Sequence, residues 1–395
     1  MPAHDALRTA VRDFARSEIT PRIPHMEASG EIEHVLVKSM AAQGWFGVTI
    51  PAEHGGLGAG HEAKSVVIEE IARVSAAMGA AFQAAVLGQA MALHLGTPEQ
   101  QRRWLPGFAD GSCLPSIAVT EEHSGGHVLG MESTGRRRNR GGWVLNGRKV
   151  FVGNSLISQV HCVVVRTGKT LTAFLVEDDR KGVRSTPHEP RLGLRGFSYG
   201  ELVLDDVRVP DENRLGEVGD GLTAAYSSSV LYGRLNLAAV AVGIHTATLE
   251  QTTAHLDGRP RVAGQGVVRA RLARIDAGLR ASRHLVHHAA RRLDLGEPCD
   301  TDLLTAKYQA VEGVLEGTAL AMRNHGAAGL LADLPMERFF RDAQCVEPPA
   351  GTGDVQLHRL AEELLTPGRH VQWSERFARP LTPPTPRPWA LAPSA

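Results

Sequence analysis

Residues 191–221 read RLGLRGFSYGELVLDDVRVPDENRLGEVGDG, and within them the chain changes character. Up to Pro210 the segment is β-type, with valine, leucine and tyrosine in short runs ended by a proline. After the glycine-rich GEVGDG the apolar residues take up helical spacing and keep it for about 150 residues. Five helices are expected there, at 222–256, 267–295, 302–325, 335–343 and 356–365. Upstream of 191 the β character extends back to about 113 through LPSIAVT, GWVLNGRKVFV, QVHCVVVRTG, LTAFLVE and GVRSTP. Before that, residues 4–110 are helical, with Leu7, Val11, Phe14 and Ala15 on one face and a long apolar run through AKSVVIEEIARVSAAMGAAFQAAVLGQAMALHL. In GTPEQQRRWLP, Thr97 is the expected cap and Pro98 the first residue of a helix. The resulting division is an N-terminal helical domain over 1–112, a β domain over 113–220, a C-terminal helical bundle over 221–370 and a proline-rich tail over 371–395.

A chain of 395 residues is long enough for two or three packed subdomains sharing a cleft. Its formal net charge is +0, and its one basic cluster, GRRRNR at 135–140, reads as a solvated hairpin loop, so no nucleic-acid footprint is expected. Four scattered cysteines, Cys113, Cys162, Cys299 and Cys345, form no metal spacing and are expected to be reduced thiols. The N-terminus carries acids within an amphipathic pattern, unlike a signal peptide or a membrane span, so a cytoplasmic location is expected.

The order helices, β domain, helices, together with the words at its joints, resembles the acyl-CoA dehydrogenase family over nearly the whole chain. AVTEEHSGGH at 118–127 is similar to that family's first flavin loop, with Glu122, Gly126 and His127 at its Pro, Ser and Asp. GRKVFVGNS at 147–155 is similar to its second flavin strand, with Phe151 at the family's tryptophan and Gly153 at its threonine. AMRNHGAAGLLADLPMERFFRDA at 321–343 follows its glycine turn, helix and Arg-Asp pair. The resemblance implies an acyl-CoA dehydrogenase-like fold: N-terminal α-helical domain, small central β-barrel or sandwich, C-terminal four-helix bundle. It also implies FAD, contacted by Val119, Thr120, Gly125, Gly126, Phe151, Gly153, Arg323, Ala327, Thr352 and Asp354, and an acyl-CoA or acyl-carrier-protein substrate. No metal is implied. AHLDGRP at 254–260 replaces the family's Arg-x-Gln-Phe-Gly-Lys-Pro loop, so a charged contact to a neighbouring subunit's FAD is lost, with Arg259 as its nearest substitute.

The family's base is a glutamate that takes the α-proton of the thioester while hydride leaves the β-carbon. In most members it precedes the Gly-Thr that follows the Arg-Asp pair, which here makes it Ala350. Some relatives carry it on the first long helix of the bundle, which here makes it Gly233, beside Arg234. Neither residue can remove a proton. Glu347 is the nearest carboxylate and, with Arg234, the candidate for catalysis, while Asp354 is read as a flavin contact or a helix cap. Tyr232 and His325 are ionisable and near the expected cleft. YGR at 232–234 and ASGEI at 28–32 are similar to the branch acting on carrier-protein-linked acyl groups in polyketide and related secondary metabolism. Three readings stand: an acyl-thioester oxidoreductase with a non-standard or missing base, a flavin oxidase or monooxygenase on the same scaffold, and a catalytically silent partner subunit. A homo-oligomer is expected because segments such as LNLAAVAVGI are apolar on more than one face.

Overall fold

The computed structural model describes residues 4–188, 191–369 and 371–377. Its N-terminal part consists of helices α1 (Asp5–Phe14), α2 (Ile23–Ser29), α3 (His34–Ala42), α4 (Gly60–Val74), α5 (Ala76–Leu95) and α6 (Pro98–Asp110). The capping at Thr97 is as the sequence implies. Its hydroxyl accepts from the Gln100 amide, the Gln100 side chain answers, and Gly111 ends α6 in the left-handed region. α4 begins differently, with no cap of its own, and Asp294, over 230 residues away, accepts from the amides of His61 and Glu62.

The β domain holds β1 (Pro115–Ala118), β2 (Thr134–Arg137), β3 (Trp143–Gly153), β4 (Val160–Thr167), β5 (Thr170–Glu177), β6 (Val183–Pro187), β7 (Tyr199–Val209) and β8 (Arg214–Leu215). They form one sheet in the order β6-β7-β3-β2-β4-β5-β8, with β1 parallel to β4. Val163, Val165, Phe174 and Val176 from β4 and β5 share a core cluster with Trp143, Leu145, Leu202 and Leu204 from β3 and β7. The sheet therefore folds over on itself in the manner of a sandwich. β2 corrects the sequence reading of GRRRNR. Gly135, Arg136 and Arg137 are paired strand, in register with Leu145, Val144 and Trp143, and only the residues after them turn.

The C-terminal part comprises α7 (Gly221–Ser228), a turn of π-helix (Ser229–Gly233), α8 (Arg234–Asp257), α9 (Pro260–Ala263), α10 (Gly266–Asp294), α11 (Asp300–His325), α12 (Met336–Cys345), α13 (Gly353–Leu365) and α14 (Trp373–Arg376). α8, α10 and α11 are its long members, and α4 packs onto α8 and α10, so the N- and C-terminal helices share one core. α5 and the 221–257 run are long and apolar enough to cross a membrane, but 89% and 94% of their most apolar windows are buried within the fold. That burial also removes the argument from LNLAAVAVGI. Residues 235–244 are covered by other helices of the same chain, so their apolar faces call for no second subunit.

Two ties hold the parts together. Adjacent carboxylates on α4, Glu69 and Glu70, are buried and meet Arg8 and Arg12 of α1, Arg73, and Arg283 of α10. The loop leading into β7 is fastened to α12, where Asp342 accepts from the Leu194 amide at 2.6 Å and Arg341 donates to the Leu192 carbonyl. A Cβ on Gly193 would lie 2.8 Å from the Arg341 carbonyl, so glycine is required for that approach. The start of the segment read as a tail also packs. Ser374 and the Trp373 amide bind Asp300, and the Trp373 ring meets Tyr226 at 5.0 Å. The proline-rich part, 378–395, lies outside the described residues.

His245 of α8 sits in a slot of glycines on α10 and α11, where a Cβ on Gly278, Gly313 or Gly317 would fall 3.3, 3.7 or 2.6 Å from the imidazole. Burial pushes its pKa down to about 4. Below the ordinary value near 6.5 the unfolded chain takes up a proton that the folded one refuses, so stability falls as pH drops through this window. The expected loss at this site is about 2 kcal/mol between pH ~6.5 and pH ~5. Denaturant midpoints across that range should show a shallower slope for His245→Leu than for the parent.

Candidate functional site

Loop 118–127 runs along β3 and is pinned to it. The Val150 amide donates to the Thr120 carbonyl at 2.9 Å. Lys149, fully buried, donates to the Val119 carbonyl at 3.1 Å and to the Glu121 carboxylate at 2.7 Å. Glu121 also accepts from the amides of Glu132 and Ser133. Burial would raise its pKa, but Lys149 and these amides outweigh that and hold it below the usual range. Burial brings Lys149 down to about 8 against the pull of Glu121. Val119 and Thr120 are therefore fixed beside Phe151. Further along, Gly125 and Gly126 are exposed, and nothing lies within 4 Å of a Cβ built on either.

Between Lys149 and Val152 the β3–β7 register shifts, and there Phe151 takes a φ of 60° and is 57% exposed. An exposed aromatic in the left-handed region is strained twice over, in its backbone and in its solvation. The ring is flanked by His188 at 5.2 Å and Tyr199 at 6.0 Å. Two residues on, Gly153 is closely packed, since a Cβ there would meet Phe197 at 2.9 Å and Ala84 of α5 at 3.1 Å. The threonine of the family's pattern has no room in this arrangement.

The second wall comes from the C-terminal bundle. Buried Lys307 of α11 donates to the carbonyls of Glu347 and Gly351, each at 2.6 Å, and Gln356 donates to those of Ala350 and Gly351 at 3.0 and 2.9 Å. Between these anchors Ala350 and Gly351 both have positive φ, 57° and 91°. A Cβ on Gly233, at the end of the π-helical turn, would lie 3.2 Å from the Ala350 Cβ and 3.6 Å from Leu87 of α5. The two positions at which the family pattern seats its base thus converge on one spot. Ala84, which backs Gly153, and Leu87, which backs Gly233, are one turn apart on α5, so about 5–6 Å separates them. From Ser75 through Ala92, Leu87 is the one position that is not buried. It marks where the cleft opens. A π-turn at such a place is a common companion of function.

Other expected site residues fare unevenly. Glu347 is half-buried rather than free in solvent. One oxygen of its carboxylate accepts from the Gly353 amide at 2.9 Å, at the N-terminus of α13, which ties the side chain to that helix end. Thr352 is the cap of α13, accepting from Val355, and Asp354 is an exposed residue of its first turn, so capping falls to the threonine. Arg234 is largely buried. Loss of solvation brings its pKa down to about 10 in spite of Asp300. Arg323 and Ala327 lie exposed at the far end of α11 and just beyond it. Arg259 donates to the His255 carbonyl at the end of α8. Tyr232 is excluded from the cleft: it is buried against His61 and Lys64, and burial pushes its pKa up. His325 is buried too, bonded to the Ala321 carbonyl, with its ring tilted against that of His255 at 4.1 Å. Sequence reasoning missed Lys307 and the Lys149–Glu121 pair. The signal for Lys307 was present as one lysine among Leu303, Leu304, Ala306, Ala310 and Val311 on a buried helix face.

These walls suit a flat aromatic cofactor. Open backbone at Gly125 and Gly126, the Thr120 segment and the exposed Phe151 ring supply what a flavin ring and its phosphates require. Among the described residues no group of three or more His, Cys, Asp or Glu is placed to hold a metal, and the four cysteines are free.

Comparison with known proteins agrees with this geometry. Family models described as the acyl-CoA dehydrogenase N-terminal, middle and C-terminal domains match residues 1–112, 116–207 and 219–365. The chain is 34% identical to an acyl-CoA dehydrogenase of Bacillus subtilis over 91% of its own length and 97% of that protein. It is 32% identical to a 3-(aryl)acrylate reductase of Clostridium sporogenes, over 92% and 98%. The solved glutaryl-coenzyme A dehydrogenase in complex with glutaryl-CoA superposes with a TM-score of 0.89 at 30% identity, covering 95% of this chain and 97% of that one.

Two substitutions test this construction. Lys307→Met leaves two carbonyls without their charged donor and should cost about 3 kcal/mol, read as a fall in denaturant midpoint. Gly153→Thr, which restores the family residue, should lower the melting temperature through its collision with Phe197. Cofactor retention after gel filtration is expected to fall in both.

Proposed function

Because this chain belongs to the acyl-CoA dehydrogenase family, a family of FAD-dependent oxidoreductases, we propose that it acts on an acyl thioester, of CoA or of a carrier protein, without a carboxylate at either of the family's base positions. The convergence of Gly233 and Ala350 carries this reading. Both positions reach the same point of the cleft, so one carboxylate would serve from either, and neither residue supplies it. Bound against Thr120, Gly125, Gly126 and Phe151, FAD supplies the hydride acceptor. The chain's own residues bind and orient the thioester. The backbone N–H of Ala350 is the group read as polarising its carbonyl, and the Lys307 and Gln356 anchors hold the carbonyls that follow it in the loop. Water is excluded on one side by α5, which is buried from Ala76 through Ala92 except at Leu87. Transfer of the α-proton then falls to a group other than a side chain at 350 or 233. Glu347 remains the nearest carboxylate in the loop, but its bond to the Gly353 amide makes a structural role the better-supported one.

A homo-oligomer is also proposed, now from a different surface. Leu364 and Leu365 of α13 are 81% and 82% exposed, and Leu357 lies on the same side two turns earlier. Covering them with a second copy would remove this apolar stripe from water. Sedimentation should show a multimer for the parent and a smaller species for Leu364→Asp; a monomeric parent contradicts the proposal.

The catalytic reading is tested by anaerobic flavin bleaching with an accepted thioester. Ala350→Glu keeps the backbone conformation Ala350 already has, and glycine at 233 leaves its side chain room, so the rate should rise about a hundredfold or more. Glu347→Gln should leave the rate within about twofold and cost roughly 1 kcal/mol of stability at the α13 N-terminus. Abolition of bleaching by Glu347→Gln, with no gain from Ala350→Glu, would make Glu347 the base. A preparation that consumes NAD(P)H and oxygen and ignores thioesters would instead support oxidase or monooxygenase chemistry.

A further inference from the structure

Behind the converging positions 233 and 350 lie two carboxamides that neither the fold nor the flavin site explains. Gln83 of α5 is four residues before Leu87, and Asn236 of α8 is three after Gly233, so each lies on the helix face that borders the cleft, one turn deeper. Gln83 is 6% exposed and Asn236 0%. The Asn236 amide nitrogen points at the Gln83 backbone carbonyl, 3.5 Å away, which leaves its oxygen turned the other way. The side-chain oxygens of both residues are buried without a hydrogen-bond partner. A buried amide oxygen with no donor is costly, and two of them one helical turn behind the same two positions are hard to reconcile with a purely apolar ligand.

We propose that Gln83 and Asn236 form a polar end to the acyl-binding pocket and that the acyl group accepted here carries a hydrogen-bond donor, a hydroxyl or an amine, on its β- or γ-carbon. The inference rests on the acyl-thioester reading of the cleft and specifies its substrate class. The spacing sets the position of the donor. Residues one turn apart on a helix are about 5–6 Å apart, which equals one or two carbons beyond the α-carbon plus one hydrogen bond. An unsubstituted acyl chain of the same length would bury both oxygens against methylene groups and forfeit that bond. A site built around such acceptors rejects the analogue lacking the donor far more strongly than an apolar pocket rejects an extra hydroxyl.

The test uses two CoA thioesters of equal heavy-atom count, 3-hydroxypropionyl-CoA and butyryl-CoA, titrated into the FAD-loaded protein. Binding is read from the shift of the flavin absorption bands and turnover from anaerobic bleaching. The expected result is at least about tenfold tighter binding of the hydroxylated thioester. Gln83→Leu and Asn236→Leu should each erase or invert that ratio, a change that loss of packing alone would not produce. Equal binding, tighter binding of butyryl-CoA, or no binding of either overturns the proposal. The binding ratio is independent of bleaching. Preferential binding without bleaching would sustain this inference while sinking the oxidoreductase reading, and bleaching with an inverted ratio would do the reverse.

Discussion

A single buried ammonium organises the bundle side of the cleft. Lys307 is fully buried, and its bonding partners are the carbonyls of residues 347 and 351, so the charge is stabilised by dipoles at the cost of a pKa brought down to about 8. Those two bonds, with the Gln356 amide, hold a peptide whose residues at 350 and 351 both occupy the left-handed region. A loop in that conformation would otherwise relax, because an alanine with positive φ gains nothing from its own side chain. Everything the cleft presents from the bundle side, including the approach of Gly233, depends on that loop staying where Lys307 puts it.

The opposite side is built on the same plan. Lys149 is also buried and also reaches a carbonyl, that of Val119, but it adds the Glu121 carboxylate. The cleft is thus bordered by two interior lysines, one on a strand and one on a helix, each clamping a loop that could not hold itself. Interior charges of this kind are poor stabilisers compared with packed apolar groups, and their use is better explained by the fixed geometry they impose.

Much of this was legible in the sequence, and what was not has physical reasons. The helices and most strands follow from periodicity, and the cap at Thr97 from local chemistry. β2 was hidden because Arg136 and Arg137 are exposed, past Thr134 where β2 meets β4, and charge there is compatible with pairing to β3, so composition pointed to a loop. The oligomer argument failed because apolarity around α8 is answered by α4, α5, α10 and α11 of the same chain, which no reading of one helix can show. At the site, positions 233 and 350, proposed as the vacant seats of the base, came from counting along the chain. Their meeting in space was not, nor was the engagement of Glu347 with an amide six residues ahead, because both depend on contacts between segments distant in sequence or on how a proline-containing loop folds back.

The π-turn at 229–233 has a geometric consequence for how such a site changes over time. It holds one more residue than an α-helical turn would, so α7 and α8 are rotationally out of phase with each other by roughly 100°. α8 can therefore pack chiefly against α4, α10 and α11 while α7 packs against α5, β4 and β5. Loss of one residue from the turn would make a single continuous helix and swing one of the two halves away from its partner. The length of this short segment is fixed by the two surfaces it must serve at once, a constraint that point substitutions within it leave untouched.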